Sequence, residues 1–121
     1  METGIKTPIK ECTKTILAIH DTMDILSGKW KVSIIACLCF DKMRYSELLN
    51  KVTGISGKML SRELKELEIN GLIKRTVQNT QPVIVEYEIT EYGATLKNVT
   101  QVLANWGVEH RRRIIGIEQS L

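Results

Sequence analysis

The sequence has 121 residues, a length that suits one domain with a single hydrophobic core. Hydrophobic residues make up 43% of the chain and charged residues 26%, which are ordinary values for a soluble globular protein. The formal net charge of +3 is only mildly basic, so a nucleic-acid-binding function has to be argued from where the charges lie. Aromatic residues, at 5%, are too few for a protein that binds single strands by stacking bases on aromatic rings.

The N-terminal residues and the cysteines indicate a cytoplasmic protein. Residues 1–10 lack the apolar stretch of a signal peptide, and the longest apolar run, residues 34–40, is too short to span a bilayer. Three cysteines, an odd number, argue against a secreted fold held by disulfides. We expect a flexible N-terminal arm at residues 1–11, one domain at 12–115 and a C-terminal tail at 116–121.

Apolar residues at helical spacing predict four helices in the first part of the domain. The first three cover residues 13–26, 29–40 and 45–52. The fourth, residues 57–69, has the clearest boundaries. Ser56 is a suitable N-cap, and Gly71 suits a left-handed residue just after the helix end.

Two strands and a long helix complete the predicted order. Residues 72–77 form the first strand, and residues 83–89, in which apolar residues alternate with glutamates, form the second. Polar residues 78–82 connect them as a hairpin tip, and Thr90 caps a last helix that extends to about Ile115. This order predicts an α+β, mainly α fold: a winged helix-turn-helix domain with a two-stranded β-hairpin as its wing.

The fourth helix has two different faces when its residues are placed about 100° apart. One side carries three leucines that should face the core: Leu60, Leu64 and Leu67. The opposite side carries hydrogen-bond donors and positive charge: Lys58, Ser61, Arg62 and Lys65. Such groups suit a helix in the DNA major groove, because they can donate to guanine edges and phosphates. Glutamates 63, 66 and 68 are expected mostly at the flanks of this positively charged side. The alternative is a solvated amphipathic face that binds nothing.

Polar and basic residues beside the fourth helix favour DNA binding. Arg44 and Tyr45 start the third helix, whose N-terminus can hold a phosphate. Lys74 and Arg75 lie on the first wing strand, and the hairpin tip offers amide and hydroxyl groups. The complete candidate DNA-binding set is Arg44, Tyr45, Ser56, Lys58, Ser61, Arg62, Lys65, Lys74, Arg75, Thr80 and Gln81.

Six segments of the sequence form an ordered set of motifs: residues 24–31 (DILSGKWK), 44–49 (RYSELL), 54–61 (GISGKMLS), 64–68 (LKELE), 70–72 (NGL) and 85–93 (VEYEITEYG). Taken in this order, they resemble the HxlR-type winged helix-turn-helix transcriptional regulators. The resemblance extends from about Cys12 to Arg112. It implies a homodimer that binds double-stranded operator DNA and usually regulates nearby genes, with N- and C-terminal dimerisation helices.

Apolar residues on the last helix agree with that implied dimer. They recur at steps of three and four residues, as in a helix packing seam. The expected dimer-interface residues are Ile16, Leu96, Val99, Leu103 and Trp106. The alternative is that this stripe covers the protein's own core.

Cys12 lies where many members of that family carry a cysteine, and some of them sense oxidants or electrophiles with it. Here Thr13 follows in place of the usual proline, and the stretch from Cys12 to Lys29 is longer than in the commonest pattern. An inert cysteine at a dimer contact is therefore the alternative to a redox sensor. Cys37 and Cys39 lie within an apolar helix, which favours core packing over metal binding.

The sequence contains no phosphate loop, nucleophile elbow or zinc-hydrolase motif. We therefore expect a protein that is not an enzyme and that has no cofactor, metal or membrane partner. Two further functions stay open: a thiol- or metal-responsive regulator, and a winged-helix module that binds proteins and not DNA. No motif identifies a small-molecule or redox effector.

Overall fold

The computed structural model describes residues 9–116. Its elements are α1 (Ile9–Ile25), α2 (Lys31–Phe40), β1 (Met43–Arg44), α3 (Tyr45–Lys51), α4 (Gly57–Ile69), β2 (Ile73–Gln78), β3 (Ile84–Ile89), α5 (Glu91–Ala94) and α6 (Lys97–Ile115). The predicted winged helix-turn-helix order is confirmed. α3 and α4 form the helix-turn-helix, and the β2–β3 hairpin forms the wing.

The predicted two-stranded wing is present, and a third short strand, β1, extends it to a three-stranded antiparallel sheet. The strand order is β1-β3-β2, and β1 places Met43 opposite Tyr87 and Arg44 opposite Glu86. A two-residue strand is too short to show an alternation of apolar and polar residues, so no pattern in the sequence predicts it. Through β1, the wing is hydrogen-bonded to the residues that lead directly into α3.

The two terminal helices differ from the predicted ones. α1 begins at Ile9, so residues 9–11 of the expected arm are helical, while residues 1–8 and 117–121 lie outside the described part of the chain. The long last helix is divided into α5 and α6. At the break, the Leu96 N–H donates to the Gly93 carbonyl at 3.0 Å, a three-residue bond that tightens the turn. Thr90 caps α5 as predicted, because its hydroxyl accepts from the Gly93 N–H.

One hydrophobic core lies beneath α2, α3, α4 and the base of the wing. Its fully buried side chains come from all four elements: Ile34, Ile35, Leu38, Leu48, Leu60, Leu64, Leu67, Leu72 and Ile73. Each such side chain contributes about 1.5–3 kcal/mol by leaving water. Since α4 supplies three of these residues, the core fixes that helix relative to the rest of the domain.

α1 and α6 contribute no fully buried residue to this core. Both helices carry large apolar side chains that remain exposed, among them Ile16 on α1 and Trp106 on α6. Within residues 9–116, no helix combines the length and the apolar character needed to cross a membrane.

Candidate nucleic-acid interface

α4 presents the two faces that its sequence predicts. Leu60, Leu64 and Leu67 are at most 2% exposed, and they pack into the core. The four residues of the opposite side, Lys58, Ser61, Arg62 and Lys65, are all exposed. The helix therefore offers a polar, basic surface to a ligand while its leucines hold it in place.

The N-terminus of α4 is stabilised by side chains from the candidate set. The Ser56 hydroxyl accepts a hydrogen bond from the Met59 N–H at 3.1 Å, which confirms Ser56 as the N-cap. The Tyr45 hydroxyl donates to the Gly57 carbonyl at 2.7 Å and accepts from the Ser61 hydroxyl at 3.3 Å. Half-buried Tyr45 thus links the start of α3 to the first turn of α4, and much of its hydrogen-bonding capacity is used inside the protein.

Arg44 lies in β1 and immediately precedes α3. Its backbone N–H donates to the Glu47 carboxylate at 2.8 Å, so a side chain of the helix itself satisfies one donor at this N-terminus. The negative charge of Glu47 also lies at the helix N-terminus where a phosphate is expected from the sequence, and it disfavours an anion there. The Arg44 side chain is exposed, so its guanidinium is a better candidate for a phosphate contact than the helix end.

The basic residues of the wing do not share one face of the sheet. Successive residues of a strand point to opposite faces, so Lys74 and Arg75 diverge. Lys74 lies opposite Glu88, with its Nζ 3.7 Å from a carboxylate oxygen, and Arg75 lies opposite Tyr87. Both side chains are exposed on opposite faces of the sheet, so a DNA duplex on one face of the wing could meet only one of them.

The hairpin tip is polar and exposed, as predicted. Thr80 and Gln81 both lie at the surface. The Thr80 hydroxyl donates to the Pro82 carbonyl at 2.6 Å, so it can only accept a further hydrogen bond from an outside group. Phosphate oxygens are acceptors, and among these two side chains the Gln81 amide is therefore the better donor to a phosphate.

A buried ion pair, which no pattern in the sequence predicts, connects α2 to α4. Lys31, only 5% exposed, lies at the start of α2, and its Nζ donates to Glu63 and, at 2.6 Å, to Glu66. The expectation that Glu63 lies at the flank of α4 is wrong, since its side chain is 8% exposed and faces Lys31. Glu66 in turn lies 3.5 Å from the Arg62 Nε.

The electrostatics of this cluster favour its charged form. Burial alone would lower the pKa of Lys31, but the hydrogen bonds and charges of Glu63 and Glu66 outweigh burial and raise it above its ordinary value of 10.5. The hydrogen bond from Lys31 lowers the pKa of Glu66. The Lys31 partners are separated from it by more than 30 residues along the chain, so no local spacing could reveal the pairing.

The cysteines occupy two different environments. Cys12 is exposed on α1, whereas Cys37 and Cys39 are half-buried in α2 and pack against the core. Burial raises the pKa of both α2 thiols, which makes them weaker nucleophiles at neutral pH. Within residues 9–116, no three His, Cys, Asp or Glu side chains come together as a metal site.

The expected dimer residues fall into two groups. Ile16, Val99, Leu103 and Trp106 are between 40% and 68% exposed on α1 and α6. Leu96, at the start of α6, is half-buried against the protein's own core. The Trp106 ring also stacks on His110 one turn later, with the ring centroids 5.1 Å apart.

Comparisons with known proteins agree with this geometry. Residues 25–114 match the family model described as HxlR-like helix-turn-helix. The HTH-type transcriptional regulator YtcD of Bacillus subtilis (strain 168) is 40% identical over 106 residues, which cover 88% of this chain and 84% of YtcD. A crystal structure of ytcD gives a TM-score of 0.73 at 40% identity and covers 78% of this chain and 96% of that one. The structure of the redox regulator HypR in its oxidised form gives a TM-score of 0.73 at 33% identity, and the match covers 76% of this chain and 95% of the HypR chain.

Proposed function

The chain belongs to the HxlR-like helix-turn-helix family, and on that premise we propose that it binds operator DNA sequence-specifically as a homodimer, with α4 in the major groove. It is a transcriptional regulator with a helix-turn-helix domain. One observation carries the proposal: the exposed side of α4 carries hydrogen-bonding groups and positive charge at positions 58, 61, 62 and 65, while its leucines are buried. A helix of this kind can enter the groove without exposing its apolar side.

The remaining candidate residues take different roles in this proposal. Arg44 and Gln81 contact phosphates, and Lys74 or Arg75 adds a contact through the wing. Tyr45 and Ser56 act mainly by holding the N-terminus of α4, since their hydroxyl groups already make internal hydrogen bonds.

The test replaces Lys58, Arg62 and Lys65 together by alanine. Affinity is measured for the duplex upstream of the protein's own gene over a range of salt concentrations. We expect affinity to fall about tenfold or more. The slope of log affinity against log salt should become shallower by roughly one for each phosphate that the variant no longer neutralises.

The matched control replaces three arginines of α6, residues 111–113, by alanine and so removes the same charge elsewhere. If net charge alone drives binding, the two triple variants weaken it equally, and the assignment of α4 is refuted. If wild-type protein shows no salt-sensitive binding to any duplex, the chain is instead a protein-interaction module.

The homodimer is supported by the exposed apolar side chains of α1 and α6. Neither helix buries a residue in its own domain, and Leu103 and Trp106 are more than half exposed. A second copy that covers these faces would remove that apolar surface from water. It would also set the spacing of two α4 helices at about one turn of DNA.

The dimer is tested by placing a charge in the proposed seam. We expect Leu103→Glu to give a monomer in sedimentation-velocity measurements and to weaken DNA binding. Ile69→Glu is the control for the sedimentation measurement only, because Ile69 is an exposed apolar residue at the end of α4 and lies outside α1 and α6. A dimer that persists in Leu103→Glu would exclude α6 from the interface.

A second candidate function is redox control of DNA binding through Cys12. Two observations favour it: Cys12 is the one exposed thiol among the described residues, and the chain is similar to the redox regulator HypR. We expect mild oxidant to modify Cys12 before Cys37 and Cys39, and to change operator affinity in wild type but not in Cys12→Ser. An affinity that does not respond to oxidant would eliminate this function.

A further inference from the structure

A line of four charged side chains extends from the interior to the exposed face of α4. It begins with Glu63 and Lys31, which are both buried, continues through Glu66, which is 43% exposed, and ends at Arg62, which is 68% exposed. Glu66 uses one carboxylate oxygen for Lys31 and the other for Arg62. The four formal charges sum to zero, so the cluster adds no net negative charge beside the proposed DNA surface.

The positions around α4 explain why Glu66 can act as the link. Four residues advance the helix by about 40°, so Glu66 lies next to Arg62 on the side nearer the core. Glu63 lies about 60° further in the same direction, toward the buried leucines. The cluster therefore crosses the border between the core side of α4 and its exposed basic side.

The contact with Arg62 is made through Nε, at 3.5 Å from the Glu66 carboxylate oxygen. Arginine has five N–H donors, and four of them belong to the two terminal nitrogens. Those terminal groups are the ones that donate to guanine O6 and N7 in the major groove. A carboxylate beside Nε favours one orientation of the guanidinium and leaves its base-reading groups available.

Lys31 restricts Glu66 in the same way. Its side chain is buried and its Nζ is hydrogen-bonded to two carboxylates, so the ammonium group has little freedom to move. The adjacent oxygen of Glu66, at 2.6 Å, is fixed to a point of α2 and not only to its own helix. Arg62 is thus connected by charge-assisted contacts to the rigid interior of the domain.

We propose that Glu66, anchored by buried Lys31, is a positioning residue that orients Arg62 for base recognition and so determines how well the protein discriminates between DNA sequences. The inference rests on the proposed function, because it requires α4 to lie in the major groove. It assigns to Glu66 a role that its negative charge alone would oppose, since an uncompensated carboxylate beside DNA weakens binding.

The test compares two duplexes. One is enriched from a random library by the wild-type protein, and the other has the same composition in scrambled order. The measured quantity is the ratio of their affinities in Glu66→Gln, in Arg62→Ala and in the variant that carries both changes. Glu68→Gln is the matched control, because Glu68 is exposed on the same helix and makes no ion pair within residues 9–116.

We expect Arg62→Ala and Glu66→Gln each to reduce the ratio, by about fivefold or more for Arg62→Ala. The double variant should be no worse than Arg62→Ala alone, because Glu66 acts through that arginine. Glu68→Gln should strengthen binding to both duplexes equally and leave the ratio unchanged.

A second arm tests the anchor. Lys31→Gln combined with Glu63→Gln removes one positive and one negative buried charge, so the net charge stays the same and amide groups replace the ion pair. Provided that its circular dichroism spectrum is that of folded protein, we expect its ratio to fall toward that of Glu66→Gln. A folded Lys31→Gln, Glu63→Gln variant with the wild-type ratio would remove Lys31 from the proposal.

Three results would overturn the proposed role of Glu66 and leave the proposed DNA-binding function standing. In the first, Glu66→Gln leaves the ratio unchanged, as Glu68→Gln does. In the second, Glu66→Gln raises the ratio, which would mean that Glu66 sequesters Arg62 from DNA. In the third, Glu66→Gln lowers the ratio equally in the absence of Arg62. A wild-type protein that enriches no sequence would overturn the proposed function as well, and this outcome is distinct from the other three.

Discussion

Replacing Lys31 by methionine should strongly destabilise the domain. The substitution keeps most of the apolar side chain but removes the ammonium group, so the buried Glu63 carboxylate loses its counter-charge. Removing one partner of a buried ion pair costs about 3–5 kcal/mol, because the other charge is left in a poorly solvated site. Glu66 adds little to this cost, since its 43% exposed side chain can return to water.

This magnitude is a large fraction of the stability of such a domain. Single domains unfold with free energies of about 5–15 kcal/mol, so Lys31→Met should be measurable as a lower midpoint in urea and a melting temperature lower by roughly 10–20 °C. Lys65→Met removes the same charge from an exposed position of α4 and should cost less than about 0.5 kcal/mol. Circular dichroism at neutral pH follows both transitions.

The double variant Lys31→Met with Glu63→Leu shows whether the instability comes from the unpaired Glu63 charge or from lost packing around Lys31. A well-packed apolar pair of similar volume often replaces a buried ion pair without loss, so most of the stability should return. If the free energy of unfolding of Lys31→Met lies within about 1 kcal/mol of the wild-type value, the Glu63 charge does not need Lys31 as its partner, and the expected destabilisation is refuted. A double variant as unstable as the single one would instead assign the loss to packing around Lys31.

Individual contacts give three further predictions. Lys31 lowers the pKa of Glu66 from its ordinary value of 4.5. Wild type should therefore be more stable than Glu66→Gln above pH 4.5, and urea unfolding should show this difference disappearing as the pH falls through the lower pKa of Glu66 in the folded protein. A Cβ at Gly93 would lie 2.0 Å from the Leu72 carbonyl oxygen, so Gly93→Ala should cost about 3 kcal/mol in denaturant unfolding, whereas Gly107→Ala, with no atom within 4 Å of its Cβ, should not destabilise. Tyr45→Phe removes a half-buried hydroxyl and should lower the free energy of unfolding by about 1 kcal/mol while weakening operator binding in fluorescence titrations.

The helix-turn-helix could be predicted from the sequence because its signals are local. The leucine spacing of α4 and the Ser56 cap each depend on residues within a few positions of one another. Gly71, expected in the left-handed region, has a φ of +75°. The strand β1 could not be predicted in the same way, because it exists only through pairing with β3, more than 40 residues later.

The sequence predicts which residues form the candidate site, but it does not predict the contacts that these residues make with other elements. Periodicity identifies which side of α4 is exposed, and those residues remain the predicted DNA contacts. Helical spacing places Glu63 near the leucine side, but it does not show that Glu63 is buried there, because a buried glutamate is stable only when a counter-charge from another element meets it, here Lys31 of α2. Nor does it show that the Tyr45 hydroxyl is used within the protein, since Gly57 meets it only after α3 and α4 pack together.

The leucines and the ion pair restrain α4 in different ways. Apolar burial is non-directional, so a modest rotation of the helix about its axis would keep Leu60, Leu64 and Leu67 largely out of water. Side-chain atoms about 5–6 Å from the axis move by roughly 2 Å when a helix turns by about 20°. The 2.6 Å hydrogen bond between Lys31 and Glu66 would not survive such a movement. The leucines therefore hold α4 against the core, and the ion pair adds a directional restraint on its rotation, which affects which side chains of α4 are exposed.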